Sequence, residues 1–140
     1  MDSVIAFGAR LLRWSADIDV HGHHSLRVAS ELLVTEVKAA HGEYRAGYNW
    51  PALATETVAR KRTGDSPLLE TGELRDSYGY GFLDHLTAEV GTDNPKALWM
   101  ELGTAHVPPR PALGTAARLK EPEIVKLLGG GAVKALEIKR

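Results

Sequence analysis

The chain has no cysteine. That excludes disulfides, thiol nucleophiles and thiolate metal sites, and it fits a reducing compartment. No apolar run approaches the roughly 18–20 residues that a bilayer-spanning helix needs. The N-terminus, MDSVIAFGARLLRW, has an acid at position 2 and arginines after the apolar residues, the reverse of a secretory signal. Neither sign of charge dominates: 17 Lys and Arg stand against 18 Asp and Glu, for a formal net charge of −1. Residues 1–70 carry 8 basic and 9 acidic side chains and residues 71–140 carry 9 of each, so neither half is a nucleic-acid arm or an acidic tail. These features together predict a soluble cytosolic protein without a membrane partner.

Sharp catalytic signatures are also missing. There is no G-x-S-x-G nucleophile elbow and no HExxH helix. The glycines of Gly129-Gly130-Gly131 and of Gly79-Tyr80-Gly81 lack the spacing of phosphate-binding loops. At 140 residues the chain suits one domain over 1–140, long enough to bury a core without metal or disulfide.

What is present is periodicity. Ser3 reads as the cap of a first helix whose Val4, Phe7, Leu11 and Trp14 share one face. Asp17 to His24 reads as a break. Leu26, Ala29, Leu33, Val37, Ala40 and Tyr44 then predict a long amphipathic helix over 25–46. Pro51 to Arg62 reads as a polar helix, with Pro51 in its first turn, and Thr71 as the cap of a short helix through Asp76. From Ser77 the period becomes two, predicting a hairpin that turns near Asp84-His85, with the glycines of its first strand marking a bulge. Asn94-Pro95 opens a helix that Gly103 closes. Ala112–Lys120 and Glu121–Leu128 read as helices separated at Pro122, and the triple glycine reads as a flexible joint that leaves 129–140 as a mobile C-terminal tail.

Three stretches offer chemistry. If extended, Asp17, Asp19, His21 and His23 would share one face and supply ligand types for zinc or another transition metal, as in a metal-dependent enzyme; the plainer reading is a polar connector. Arg60-Lys61-Arg62 is the sole basic run, either a phosphate contact of a DNA-binding regulator or cations facing water at a helix C-terminus. The strap Val107-Pro108-Pro109-Arg110-Pro111 lacks three backbone donors and should be extended. It is either a stiff internal connector or a pre-ordered docking element, in which Arg110 grips a carboxylate, Glu101 being the intramolecular candidate.

The stretches WPALATETVARKRTGDSPLLETGELRDSYGY (50–80) and VGTDNPKALWMELGTAHVPPRPALGTAA (90–117) resemble the small virion-morphogenesis proteins of long-tailed bacteriophages. These are tail-completion or head–tail joining proteins, found also in prophages and gene-transfer particles. The matching positions are Trp50, Pro51, Leu53, Lys61, Leu68, Leu69, Thr71, Gly72, Leu74, Arg75 and Ser77, then Glu101, Leu102, Gly103, Thr104, Pro109, Arg110, Pro111 and Leu113. One departure is Ala112-Leu113, where relatives often carry Phe. The resemblance covers roughly half the chain.

It implies an α+β fold, a long N-terminal helix packed on a small antiparallel sheet with short additional helices. It implies no catalysis and no cofactor. It also implies a homo-oligomeric ring where tail meets head, with connector, stopper, terminator and tail-tube proteins as partners in the virion. Encapsidated DNA would pass through that ring without sequence-specific binding. The related role of tail terminator, capping the tube and fixing its length, acts at the same end of the tail. The residues expected to carry interactions are Trp50, Thr71, Gly72, Leu74, Arg75, Glu101, Gly103, Thr104, Pro108, Pro109, Arg110 and Pro111.

Overall fold

The computed structural model describes residues 4–136, and the side chains of residues 19–131. The side chains of Val4, Phe7, Leu11, Trp14 and Asp17, and the last residues of the tail, lie outside that range. The fold is α+β. In chain order come α1 (Val4–Ala40), α2 (Thr55–Arg60), α3 (Glu73–Ser77), β1 (Gly79–Asp84), β2 (Thr87–Gly91), α4 (Pro95–Leu102) and α5 (Leu113–Leu136).

The 3–4 spacing from Leu26 to Ala40 does build one helix, but the helix is longer at its start and shorter at its end than the pattern predicts. It runs unbroken through Asp17–His24. One interior glycine costs only about 1 kcal/mol, and at Gly22 the missing side chain admits the hairpin: Leu86 Cδ2 lies 3.1 Å from where a Cβ would sit. The helix stops at Ala40 because Gly42 turns into the left-handed region at φ +98°. There its N–H donates to Pro67 O at 2.7 Å. Tyr44 is therefore off the helix; its hydroxyl donates to Asp65 and accepts from the Leu53 N–H.

The core sits where Val37 and Ala40 of α1 meet Ala112 and Ala116 beside α5, with Tyr48, Trp50, Leu74, Tyr78 and Ala97 closing over them. Small residues on both helices let the backbones approach. α5 runs antiparallel to α1, from Lys120 paired with Glu36 to Gly131 against Ser25, and this is the most extensive contact between elements. Packing on α1 holds α5 helical through Pro122 and through Gly129-Gly130-Gly131, so the separation at Pro122 and the flexible joint are both corrected. Glu36 ties the layers together: it accepts from Tyr48 Oη at 3.0 Å and pairs with Arg45 at 3.3 Å and Lys120 at 3.7 Å.

β1 and β2 pair antiparallel, Gly79 opposite Gly91 and Phe82 opposite Ala88. The turn falls at His85-Leu86, where the Asp84 carboxylate accepts from Leu86 N at 2.9 Å. The irregularity lies between Phe82 and Asp84, not at the glycines. The hairpin lies on α1: Tyr80 Oη donates to Glu31 at 3.0 Å, and His23 stacks against His85 with ring centroids 4.4 Å apart.

Candidate functional site

The two motif-bearing stretches meet. The strap crosses back over the end of α4, where Gly103 takes φ +75° and the Pro109 ring packs 2.9 Å from the position of an added Cβ. Thr104 shapes this reversal. Its hydroxyl accepts from the N–H groups of His106 and Val107, and its own N–H donates to Val107 O at 2.8 Å.

Beyond the reversal, Arg110 points inward. It is 5% exposed. Its Nε donates to Pro51 O at 3.1 Å and its Nη2 to Ala52 O at 3.0 Å, while its backbone N–H donates to Met100 O at 2.7 Å. In return, Trp50 Nε1 donates to Pro111 O at 3.1 Å. The expected carboxylate grip is therefore corrected: the guanidinium satisfies backbone carbonyls, and Glu101 is engaged elsewhere. Its carboxylate accepts from Leu113 N and Gly114 N, placing negative charge at the N-terminus of α5, where the helix dipole favours it.

α2 is shorter than the sequence pattern predicts. The Pro51 and Ala52 carbonyls face the guanidinium, and residues 51–54 lie outside the helix, with Ala54 extended. The predicted Pro51–Arg62 helix reduces to Thr55–Arg60.

Around this brace lies a groove of about 520 Å³, walled by residues 52–57, 68–74, α4 and the strap. Leu68, Leu69, Met100, Val107 and Pro108 give it an apolar lining, with Lys61, Glu70, Glu73 and Lys96 also on its walls. Thr71, Gly72 and Leu74 line it as well. Thr71 acts one residue away from its expected cap role: Gly72 takes the cap position of α3, and the Thr71 hydroxyl accepts from Glu73 N at 3.3 Å. Lys61 Nζ donates to Ser66 O at 2.6 Å, and burial draws its pKa down. Glu73 pairs with Lys96 at 3.5 Å on the surface. Such a cleft, apolar with a few charges on its walls, suits insertion of apolar side chains.

Arg75 is not in this groove's lining; it pairs with its neighbour Asp76 at 2.8 Å on the surface. The sequence reading missed the outer face of α4, where Leu98, Trp99 and Leu102 are 60%, 51% and 72% exposed. The signal was the run ALWMEL, which holds more large apolar residues than one buried stripe uses. The metal-binding geometry imagined for Asp17–His24 is corrected by the helix, which turns residues two apart to different faces. Asp19 instead meets His85 Nε2 at 3.2 Å, and His23 Nδ1 lies 2.7 Å from His85 O. Among the described residues, no helix is long and apolar enough to cross a membrane.

No family model, no curated protein and no solved structure matches this chain.

Proposed function

We propose that the chain is a non-catalytic structural protein of a phage or phage-like virion. In this reading it acts at the neck or upper tail in tail completion and head–tail joining, by assembling into a ring. The observation that carries this reading is the convergence of the motif stretches. Trp50 and Pro51 are joined to Arg110 and Pro111 across about 60 residues of chain through backbone carbonyls, and Thr71 to Leu74 complete the same groove wall. Residues that resemble one family's pattern thus form one spatial unit. The exposed Leu98, Trp99 and Leu102 add an apolar surface of the kind that partner binding covers.

Deletion of the gene from its phage or particle-producing element, followed by electron microscopy of the lysate, tests the reading. DNA-filled heads beside separate tails of normal length are the expected result. Tails of uncontrolled length would move the role to terminator, and normal joined particles would overturn the reading.

A further inference from the structure

We infer that Lys61 is a covalent modification site, a reactive amine on the groove wall that accepts acyl groups from thioester donors. This chemistry belongs to the chain by itself and is independent of the virion reading.

The backbone places the amine. Lys61 closes α2 in an extended conformation, with φ −74° and ψ 138°, and its side chain lines the groove together with Leu68, Leu69 and Met100. Its Nζ donates to Ser66 O at 2.6 Å. The loop fixes that carbonyl: Ser66 N donates to Gly64 O at 2.9 Å, Ser66 Oγ to Thr63 O at 3.0 Å, and Thr63 Oγ1 to Leu69 O at 2.8 Å. Ser66 and Pro67 are buried, whereas Lys61 keeps part of its surface open.

The kind of partner sets Lys61 apart from other lysines. Lys96 pairs with Glu73 at 3.5 Å, and Lys120 pairs with Glu123 at 3.4 Å and Glu36 at 3.7 Å. A carboxylate holds an ammonium in its charged form. Lys61 instead meets a neutral carbonyl, which accepts from an amine as well as from an ammonium. Burial in the groove disfavours its charge; Glu70 acts in the opposite direction, the Arg110 guanidinium adds to the effect of burial and Asp65 opposes it, and the balance lowers the pKa from the ordinary value. An amine desolvated in an apolar site, with a second cation near it, is in the environment that activates lysine as a nucleophile.

The product geometry selects the reactant. The Nζ lone pair attacks the thioester carbonyl carbon and forms a C–N bond. The C–S bond breaks, sulfur leaves with the bonding pair, and nitrogen releases a proton that the thiolate or water takes up. Amine and thioester thus give amide and thiol, with no change of oxidation state. The amide keeps one N–H, which can still donate to Ser66 O. A neutral imine, formed with an aldehyde, has no N–H and would leave the carbonyl of a buried residue without its donor. Acylation also removes a charge that the apolar lining disfavours. Lys61, Lys96 and Arg110 stand against Glu70 and Glu73 on the groove wall, so loss of the Lys61 charge brings the two signs into balance.

The test incubates the folded full-length chain at neutral pH with an uncharged acetyl thioester, S-acetyl-N-acetylcysteamine, and reads the initial rate at each lysine by peptide mass spectrometry. Lys61 is expected to be acetylated faster than Lys96 and Lys120, and to lose that lead in urea, where the groove is gone. Thr57→Glu, on a helix that buries no residue, sets a carboxylate four positions before Lys61. It is expected to slow Lys61 to the rate of Lys96 while the circular dichroism spectrum stays unchanged. A Lys61 rate no higher than those of Lys96 and Lys120 in the folded chain would overturn the proposal. So would a lead that persists in urea, which would trace the reactivity to the neighbouring Arg60 and Arg62 instead of the groove, and so would a Thr57→Glu chain that reacts at the wild-type rate.

Discussion

Arg110 ties the strap to two other segments: to α4 through its backbone N–H, and to the 51–52 stretch through its guanidinium. Arg110→Ala leaves two carbonyls without their donor in a covered site, and is expected to cost about 2–4 kcal/mol. Arg110→Lys is expected to recover little of this, because a single ammonium cannot reproduce the fork. Urea denaturation of the purified variants measures both, and an unchanged midpoint for the alanine variant would return Arg110 to a docking role. The sequence made this residue conspicuous but left its direction open. Proline spacing dictates that the strap is extended, not which side faces inward. The deciding groups, the carbonyls of Pro51 and Ala52, are local to a different part of the chain. Glu101 was misassigned for the same reason: it is close to Arg110 in sequence, but the unsatisfied N–H groups at the start of α5 are the better partner.

Among the elements, those specified by local chemistry were legible and those specified by packing were not. The hairpin follows from its alternation, and α4 from an Asn94 side chain that accepts from Lys96 N at 3.0 Å and from Gly103 at its end. The continuity of α1 through residues 17–24 and of α5 past residue 122 goes with each helix lying against the other, which no window of sequence contains. The groove was legible only as motif residues, because its walls are assembled from four separated stretches. The triple glycine of α5 gives a direct check. Gly130 is exposed with open space where a Cβ would go, so Gly130→Ala should stabilise the protein by up to about 1 kcal/mol through helix propensity. At Gly131 the added Cβ would overlap Ser25 Oγ, so Gly131→Ala should destabilise by about 1–3 kcal/mol. Shifts of the same sign in urea denaturation would mean that α5 is not seated on Ser25.

At the scale of the whole molecule, stability is linked to pH through His41. The ring is buried at the junction of α1 with the core. Its Nδ1–H donates to Val37 O at 2.8 Å, and its Nε2 is buried without a partner. Burial lowers its pKa below the ordinary 6.5; the bond to Val37 acts in the opposite direction, Arg75 lowers it further and Glu101 raises it. The unfolded chain takes up a proton near 6.5 that the folded chain resists, so this contribution is fully present above that pH and is lost as the pH falls towards the folded value. The urea midpoint is expected to drop as the pH falls below about 6.5, and His41→Gln to flatten that drop; an equal slope in the variant would assign it to other groups. The length of α1 has a separate consequence. A compact chain of 140 residues has a radius of gyration of about 14 Å and hence a diameter of about 37 Å, whereas the 37 residues of α1 alone span about 55 Å. The protein therefore drags through solvent as a rod with a thick end, tumbling slowly about its short axes and passing through a porous bed as though it were a heavier sphere.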